Sequence, residues 1–174
     1  MSSEILFSVP DQYSFVIGSS CLAALVLNIS GLVLAFTRSS IYNDDVISRY
    51  NERVKSEPNP EGSEVPAVPA KGYPDEGNGR ISKTLPYKDW IRFNKVNRGF
   101  LNYNELIVVH VLSILLCGLY KPVWAGWIGV SIAVGRLLYF IGYAFLGSIV
   151  MGVGEFLALL PMFFNYGVFI YHLF

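Results

Sequence analysis

The stretch Arg98-Gly-Phe-Leu-Asn102-Tyr-Asn-Glu105 carries three polar side chains directly into a long apolar segment. In a helix, Arg98, Asn102 and Glu105 lie at i, i+4 and i+7, on one face and spread over roughly 10 Å of axis. Burial of such groups costs free energy unless each finds a partner, and ionisable groups inside a membrane are functional candidates. A face of this length fits a small zwitterionic peptide. An alternative is an Arg/Glu pair that joins two helices.

The composition predicts an integral membrane protein. Hydrophobic residues make up 53% of the 174 residues, and the mean hydropathy is +0.45, well above that of an ordinary soluble domain. Of the 13 Lys and Arg residues, 11 lie between Arg38 and Arg98, where they are mixed with nine of the 13 acidic residues. This balance excludes the concentrated positive field that nucleic-acid binding needs.

The apolar segments predict an all-α fold, with a single transmembrane domain over residues 1–174. Stretches of this length and composition are long enough to cross a bilayer. The four predicted helices cover about residues 14–37, 96–120, 122–145 and 147–174, and Pro161 interrupts the last.

A polar loop at residues 38–89 separates the first two predicted helices. Its middle, residues 59–74, has no apolar period and many Pro and Gly residues, which favours an exposed linker or an extended hairpin without a core. Lys and Arg residues flank this loop, whereas Lys121 alone lies near the opposite helix ends. The positive-inside rule therefore predicts that the loop faces the cytosol.

A second polar face follows on the third predicted helix, where Arg136, Tyr139 and Tyr143 lie at i, i+3 and i+7. The two faces together could bind an amphiphile, because arginines hold carboxylates by charge-assisted hydrogen bonds and Glu105 could receive an ammonium. A buried pair between Arg136 and Glu155 of the fourth helix is the alternative, since each charge would otherwise be unpaired in lipid.

The two histidines predict no metal site. His110 lies within an apolar helix and is interpreted as an interhelical hydrogen-bonding residue, while His172 lies at the C-terminal membrane edge. No spacing typical of metal ligands is present.

The polar motifs resemble those of the MAPEG superfamily, the membrane-associated proteins in eicosanoid and glutathione metabolism. The resemblance is carried by residues 93–105 on the second helix, by Tyr120-Lys-Pro, and by Gly135-Arg-Leu-Leu-Tyr-x-x-Gly-Tyr143 on the third. It covers those two helices and the four-helix layout, and hardly extends to the long loop.

The resemblance implies a homotrimer that binds glutathione as co-substrate between neighbouring subunits, towards the cytosolic side. It implies conjugation of glutathione to lipophilic electrophiles, reduction of lipid hydroperoxides, or leukotriene C synthesis. The catalytic candidates are Arg136 and Tyr139. The positions that match glutathione-contacting residues are Arg98, Asn102, Glu105, Arg136, Tyr139 and Tyr143, with Arg38 as a weaker candidate from a neighbouring subunit.

The chain departs from the family pattern in two places that concern catalysis. Phe100 stands where the family has His or Gln, and residues 144–150 lack the basic residue that stabilises the thiolate in family enzymes. Lowering a thiol pKa by two units takes ~2.7 kcal/mol, which a cation in a dry site could supply. The sequence thus leaves enzymatic activity open.

A non-catalytic alternative follows from the missing cation and the inserted loop. In this reading the protein is a lipid-binding scaffold, or an accessory subunit of a larger membrane assembly such as a mitochondrial respiratory complex. The resemblance implies the endoplasmic reticulum as the membrane, with a mitochondrial membrane as the competing choice.

Overall fold

The computed structural model describes residues 9–56 and 75–174, without the side chains of residues 55 and 56. All regular structure in these ranges is helical, which confirms the all-α prediction. The described residues contain five α-helices, a 3₁₀ turn at Ser82–Thr84 and a π-helical turn at Gly142–Leu146. The α-helices are α1 Tyr13–Ile41, α2 Asp44–Ser56, α3 Tyr87–Gly118, α4 Pro122–Ile141 and α5 Ser148–Leu173.

Four helices in the described part of the chain are long and apolar enough to cross a membrane, as predicted. They are Tyr13–Ile41, Tyr87–Gly118, Pro122–Leu146 and Ser148–Leu173. Many large apolar side chains on them point outward, among them Phe36, Trp127 and Phe163. Such surfaces are suited to lipid rather than water. The protein is an integral membrane protein.

The long loop is shorter and more structured at its edges than the sequence suggested. Helix α1 continues to Ile41 and α3 already begins at Tyr87, and between them lies α2. Asn43 caps α2, because its side-chain oxygen accepts a hydrogen bond from the Val46 amide at 3.1 Å. Two aspartates in the first turn of α2 stabilise it further, since their negative charges interact favourably with the helix dipole. The predicted linker at 59–74 lies outside the described residues.

The described residues divide into two compact units. One consists of residues 9–30 with Asn102–Phe174, and the other lies within Gly31–Leu101. Helices α1 and α3 each contribute residues to both units.

The unit within Gly31–Leu101 has an apolar core of its own. Helix α2 packs its apolar side against this core through Val46, Ile47 and Val54. The charged side chains described on it are exposed: Asp44, Asp45, Arg49, Glu52 and Arg53. The buried members of the core are Ile41, Tyr42, Tyr50, Ile81 and Phe93.

A tight turn at residues 75–82 completes this unit. The Asp75 carboxylate accepts hydrogen bonds from the backbone amides of Gly77 (2.9 Å), Gly79 (3.0 Å) and Ser82 (2.8 Å), and from the Ser82 hydroxyl (2.5 Å). Gly77 has φ +99°, and a Cβ there would lie 2.7 Å from the Asn94 side chain, so the turn needs glycine at this position. One buried carboxylate thus satisfies four donors.

Replacement of Asp75 by alanine is expected to open this turn. Three backbone amides lose their acceptor, and each unsatisfied buried donor costs about 1–3 kcal/mol. Hydrogen–deuterium exchange at Gly77, Gly79 and Ser82 should rise at least tenfold. Glu76→Ala is the matched control, because that neighbouring side chain is exposed; equal exchange in both variants would contradict the role of Asp75.

The same turn is expected to loosen in acid. Burial raises the pKa of the Asp75 carboxyl, but the hydrogen bonds from Ser82, Gly77 and Gly79 lower it more, so its pKa lies below the usual 3.8. A carboxyl with a depressed folded pKa stabilises the fold above its unfolded pKa, and loses that contribution as pH falls through the folded value. Exchange protection of the turn should therefore persist at pH 5 and weaken progressively as the pH falls below the ordinary aspartate pKa of 3.8, and this acid transition should be absent in Asp75→Ala.

The other unit is built around a close contact between α4 and α5. A Cβ on Gly135 would lie 2.7 Å from the Gly154 carbonyl oxygen and from the Ala158 amide nitrogen. The two helix backbones therefore touch where glycine faces glycine, which is how membrane helices gain close packing.

Helix α5 continues through Pro161, whereas the sequence predicted an interruption there. Proline has no amide hydrogen, so the carbonyl of Leu157 loses its donor within the helix. The Ser131 hydroxyl of α4 donates to this carbonyl at 3.0 Å. Because α4 supplies the missing donor, the helix passes the proline with its backbone satisfied.

Candidate functional site

Arg136 of α4 is the centre of a polar cluster inside the apolar bundle. Its side chain is fully buried. One terminal nitrogen donates to Asn102 Oδ1 of α3 at 2.9 Å and to Glu155 Oε2 of α5 at 3.1 Å. Its Nε points to His110 Nε2 of α3 at 3.4 Å. A single guanidinium thus connects three membrane-spanning helices.

His110 accepts from Arg136 because its other ring nitrogen is already engaged. Nδ1 lies 2.7 Å from the Leu106 carbonyl oxygen, and a carbonyl can only accept, so Nδ1 carries the proton. Nε2 then has a lone pair that faces the guanidinium. The interpretation of His110 as an interhelical hydrogen-bonding residue is confirmed.

Two tyrosine rings enclose the guanidinium. The Arg136 Cζ lies 5.6 Å from the centre of the Tyr103 ring and 5.5 Å from that of Tyr139, within the range of a cation–π contact. The Tyr103 hydroxyl donates to the Ala23 carbonyl of α1 at 2.6 Å. The Arg136 cluster, as we call it, comprises Asn102, Tyr103, His110, Arg136, Tyr139 and Glu155.

Glu155 is the partly exposed partner of the buried Arg136 guanidinium. Its side chain is 31% exposed, whereas that of Arg136 is 0% exposed. The pairing considered as the alternative from sequence is therefore present. An incoming ligand would meet Glu155 before it met the guanidinium.

Four of the predicted site residues lie in or beside the Arg136 cluster. Asn102 and Arg136 are hydrogen-bonded, and Tyr139 stacks on Tyr143 with ring centres 5.9 Å apart. Glu105 is exposed on α3. Asn102, Arg136 and Tyr139 thus lie together in the Arg136 cluster, and Tyr143 lies beside it.

The two remaining predicted residues, Arg98 and Arg38, belong to the unit within Gly31–Leu101. Arg98 is exposed on α3. Arg38 is buried, donates to the Asp75 carbonyl oxygen at 2.6 Å, and lies over the rings of Tyr42 and Phe93. The Arg38 guanidinium stabilises the turn described above.

Sequence reasoning did not place Tyr103 and His110 in the site. A signal was present, because the two residues are seven positions apart and therefore share a helix face, where their rings meet edge to face at 6.3 Å. Phe100, the departure from the family pattern, is half-buried, and a Cβ on Gly31 would lie 3.2 Å from its ring. Phe100 therefore fills space against α1.

The Arg136 cluster contains one cation, and that cation is paired. Residues 142–150, which form the turn into α5, contain no Lys or Arg. Within the described ranges, no three His, Cys, Asp or Glu residues are grouped as metal ligands would be. The chemistry available here is hydrogen bonding by the guanidinium, the amide and the tyrosines, without a spare positive charge.

The comparison with protein families gives one result. The profile of the MAPEG family matches residues 49–168, which is more than half of the chain. No curated protein and no solved structure matches the chain. The matched range contains α3, α4 and most of α5, together with the whole Arg136 cluster. The protein therefore belongs to the MAPEG family.

Proposed function

We propose that the protein is a membrane-bound glutathione transferase or peroxidase that acts on lipophilic electrophiles or lipid hydroperoxides. Membership of the MAPEG family supports this at the family level. Within the family we propose a relative of microsomal glutathione S-transferase 3, assembled as a homotrimer in the endoplasmic reticulum or a mitochondrial membrane, with its long loop towards the cytosol.

The observation that carries this proposal is the polar face of α3. Arg98, Asn102 and Glu105 follow one another in α3 at i, i+4 and i+7, the spacing of one helix face. The charged ends of the face, Arg98 and Glu105, are both exposed. Glutathione offers carboxylates for an arginine and an ammonium for a glutamate, and such bonds are strong because both partners are charged.

The roles of the buried residues differ from those of the exposed ones. Arg136 is fully buried and bonded to Asn102 and Glu155, so we assign it the positioning of Asn102 on the binding face. Tyr139 and Tyr143 offer hydroxyls that could donate to a thiolate. A hydroxyl supplies less thiolate stabilisation than a free cation, so turnover should be slow.

A second candidate function is favoured by the pairing of Arg136 with Glu155. A cation neutralised in this way does little to lower the pKa of a thiol, and residues 142–150 contain no other cation. The protein would then be a lipid-binding scaffold or an accessory subunit that binds glutathione without activating it.

Replacement of Arg98 by alanine is expected to weaken glutathione binding at least tenfold. A charge-assisted hydrogen bond is worth about 1.5–3 kcal/mol, which is a factor of roughly 10 to 150 in affinity. The measurement is isothermal titration of glutathione into the detergent-purified protein. Arg92→Ala is the matched control, since Arg92 is also an exposed arginine of α3 but lies six positions away and on another side of the helix.

The ultraviolet absorbance of the thiolate in the same samples separates the two functions. Binding with a thiolate signal at neutral pH supports the transferase or peroxidase. Binding without that signal supports the scaffold. No binding by the folded protein, or equal binding by Arg98→Ala and Arg92→Ala, would overturn the proposed glutathione site.

A further inference from the structure

An open apolar groove lies outside the Arg136 cluster, between the start of α4 and the C-terminal half of α5. Its volume is about 660 Å³, within the range of small-molecule sites. Aromatic side chains form its walls, and Phe163 and Phe164 are 64% and 58% exposed. The residues that matter here are Lys121, Trp124, Phe163, Phe164, Gly167 and His172.

The groove is well separated from the Arg136 cluster. Pro122 begins α4 beside the groove, and Arg136 follows fourteen residues later. At a rise of about 1.5 Å per residue, this is roughly 21 Å along the helix. The two features therefore lie towards opposite ends of α4.

The groove has a single kind of charge at its rim. Lys121 is exposed, and its ammonium has no carboxylate partner among residues 9–56 and 75–174. Lys121 lies in the short connection between two membrane-spanning segments, the first of which ends at Gly118 and the second of which begins at Pro122. This is the level at which lipid phosphates lie, and an ammonium can form a charge-assisted hydrogen bond to a phosphate.

His172, which also lines the groove, is held by aromatic contacts. Its ring lies 5.2 Å from that of Tyr120 and 5.3 Å from that of Tyr171. The rim of the groove therefore combines a cation with amphipathic rings, a combination common at membrane interfaces.

Gly167 leaves the wall of the groove open. A Cβ at this position would meet nothing within 4 Å. Because the groove is lined by apolar side chains and by one cation, Lys121, it is complementary to a molecule with an acyl chain and an anionic head.

We propose that this groove binds an acyl chain of an anionic membrane phospholipid, whose phosphate contacts the Lys121 ammonium. The apolar walls hold the chain, and Lys121 selects the headgroup. The site is independent of glutathione binding, so the failure of either proposal leaves the other intact.

The test is native mass spectrometry of the full detergent-purified protein, mixed with equal amounts of phosphatidylglycerol and phosphatidylcholine that carry the same acyl chains. An exposed ion pair contributes up to about 1 kcal/mol, which is roughly fivefold in affinity, so phosphatidylglycerol adducts should exceed phosphatidylcholine adducts by up to about that factor. Lys121→Gln should equalise the two. Gly167→Leu fills the groove and should reduce adducts of both lipids.

Gly152→Leu is the matched control, because Gly152 is also exposed on α5 and also has open space around it. This variant should bind lipid as the wild type does. Equal retention of the two lipids by the wild type, or unchanged adducts in Gly167→Leu, would overturn the proposal. A change of oligomeric mass in Gly167→Leu alone would also overturn it, since a second protein chain would then occupy the groove.

Discussion

The Gly154→Ala variant is expected to lose at least about 3 kcal/mol of stability, the upper range for overpacking of a core. Its new methyl group would lie 2.6 Å from the Gly135 carbonyl oxygen, and closer still to the Tyr139 amide nitrogen. Both obstacles are backbone atoms of α4, so no side-chain rotation relieves the contact. The expected result is a much lower midpoint of thermal unfolding in detergent.

Gly152→Ala is the control for this prediction. It places the same substitution two residues away on the same helix, where a Cβ meets nothing within 4 Å. Its unfolding midpoint should equal or exceed that of the wild type, because alanine is the better helix former. Similar midpoints for Gly152→Ala and Gly154→Ala would show that α4 and α5 do not touch at Gly154.

The Glu155→Met variant is expected to cost about 3–5 kcal/mol, because it leaves the fully buried Arg136 without an anion. Arg136→Met should cost less, since the Glu155 carboxylate is 31% exposed and keeps part of its solvation. The order of the two effects follows from their unequal burial. Thermal unfolding of both variants in the same detergent measures it.

The double variant Arg136→Met/Glu155→Met tests whether the two side chains act as a pair. It removes both charges, so its loss of stability should be smaller than that of Glu155→Met alone. Losses that simply add would contradict the pairing. The His110 and Asn102 side chains are kept in all three variants.

The membrane helices could be predicted because each depends on a local property of the chain. A stretch of some twenty apolar residues crosses a bilayer whatever surrounds it. The polar faces of α3 and α4 could also be predicted, because helical spacing shows which residues share a face: Asn102 lies on that of α3, and Arg136 and Tyr139 lie on that of α4. That Arg136 would bond to Asn102 rather than leave its charge for a ligand could not be predicted, since it depends on how the helices pack.

The structured edges of the loop escaped prediction for a different reason. In α2, the apolar positions Val46, Ile47, Tyr50 and Val54 are few among many charges, so their helical period is easily missed. The turn at Asp75 depends on partners distant in sequence: Arg38, which contacts its carbonyl, lies 37 residues away. Patterns within a short window cannot reveal such contacts.

The hydrogen bond from Ser131 to the Leu157 carbonyl has a consequence for biogenesis. Before α4 is in place, the carbonyl left without a donor by Pro161 would enter the hydrocarbon unsatisfied, at a cost of several kcal/mol. We therefore expect that α5 does not pass from the translocon into the bilayer without α4. The turn at Gly142–Leu146 is short enough for α4 and α5 to enter the bilayer together as a hairpin. In such a hairpin the Ser131 hydroxyl can already donate to the Leu157 carbonyl oxygen.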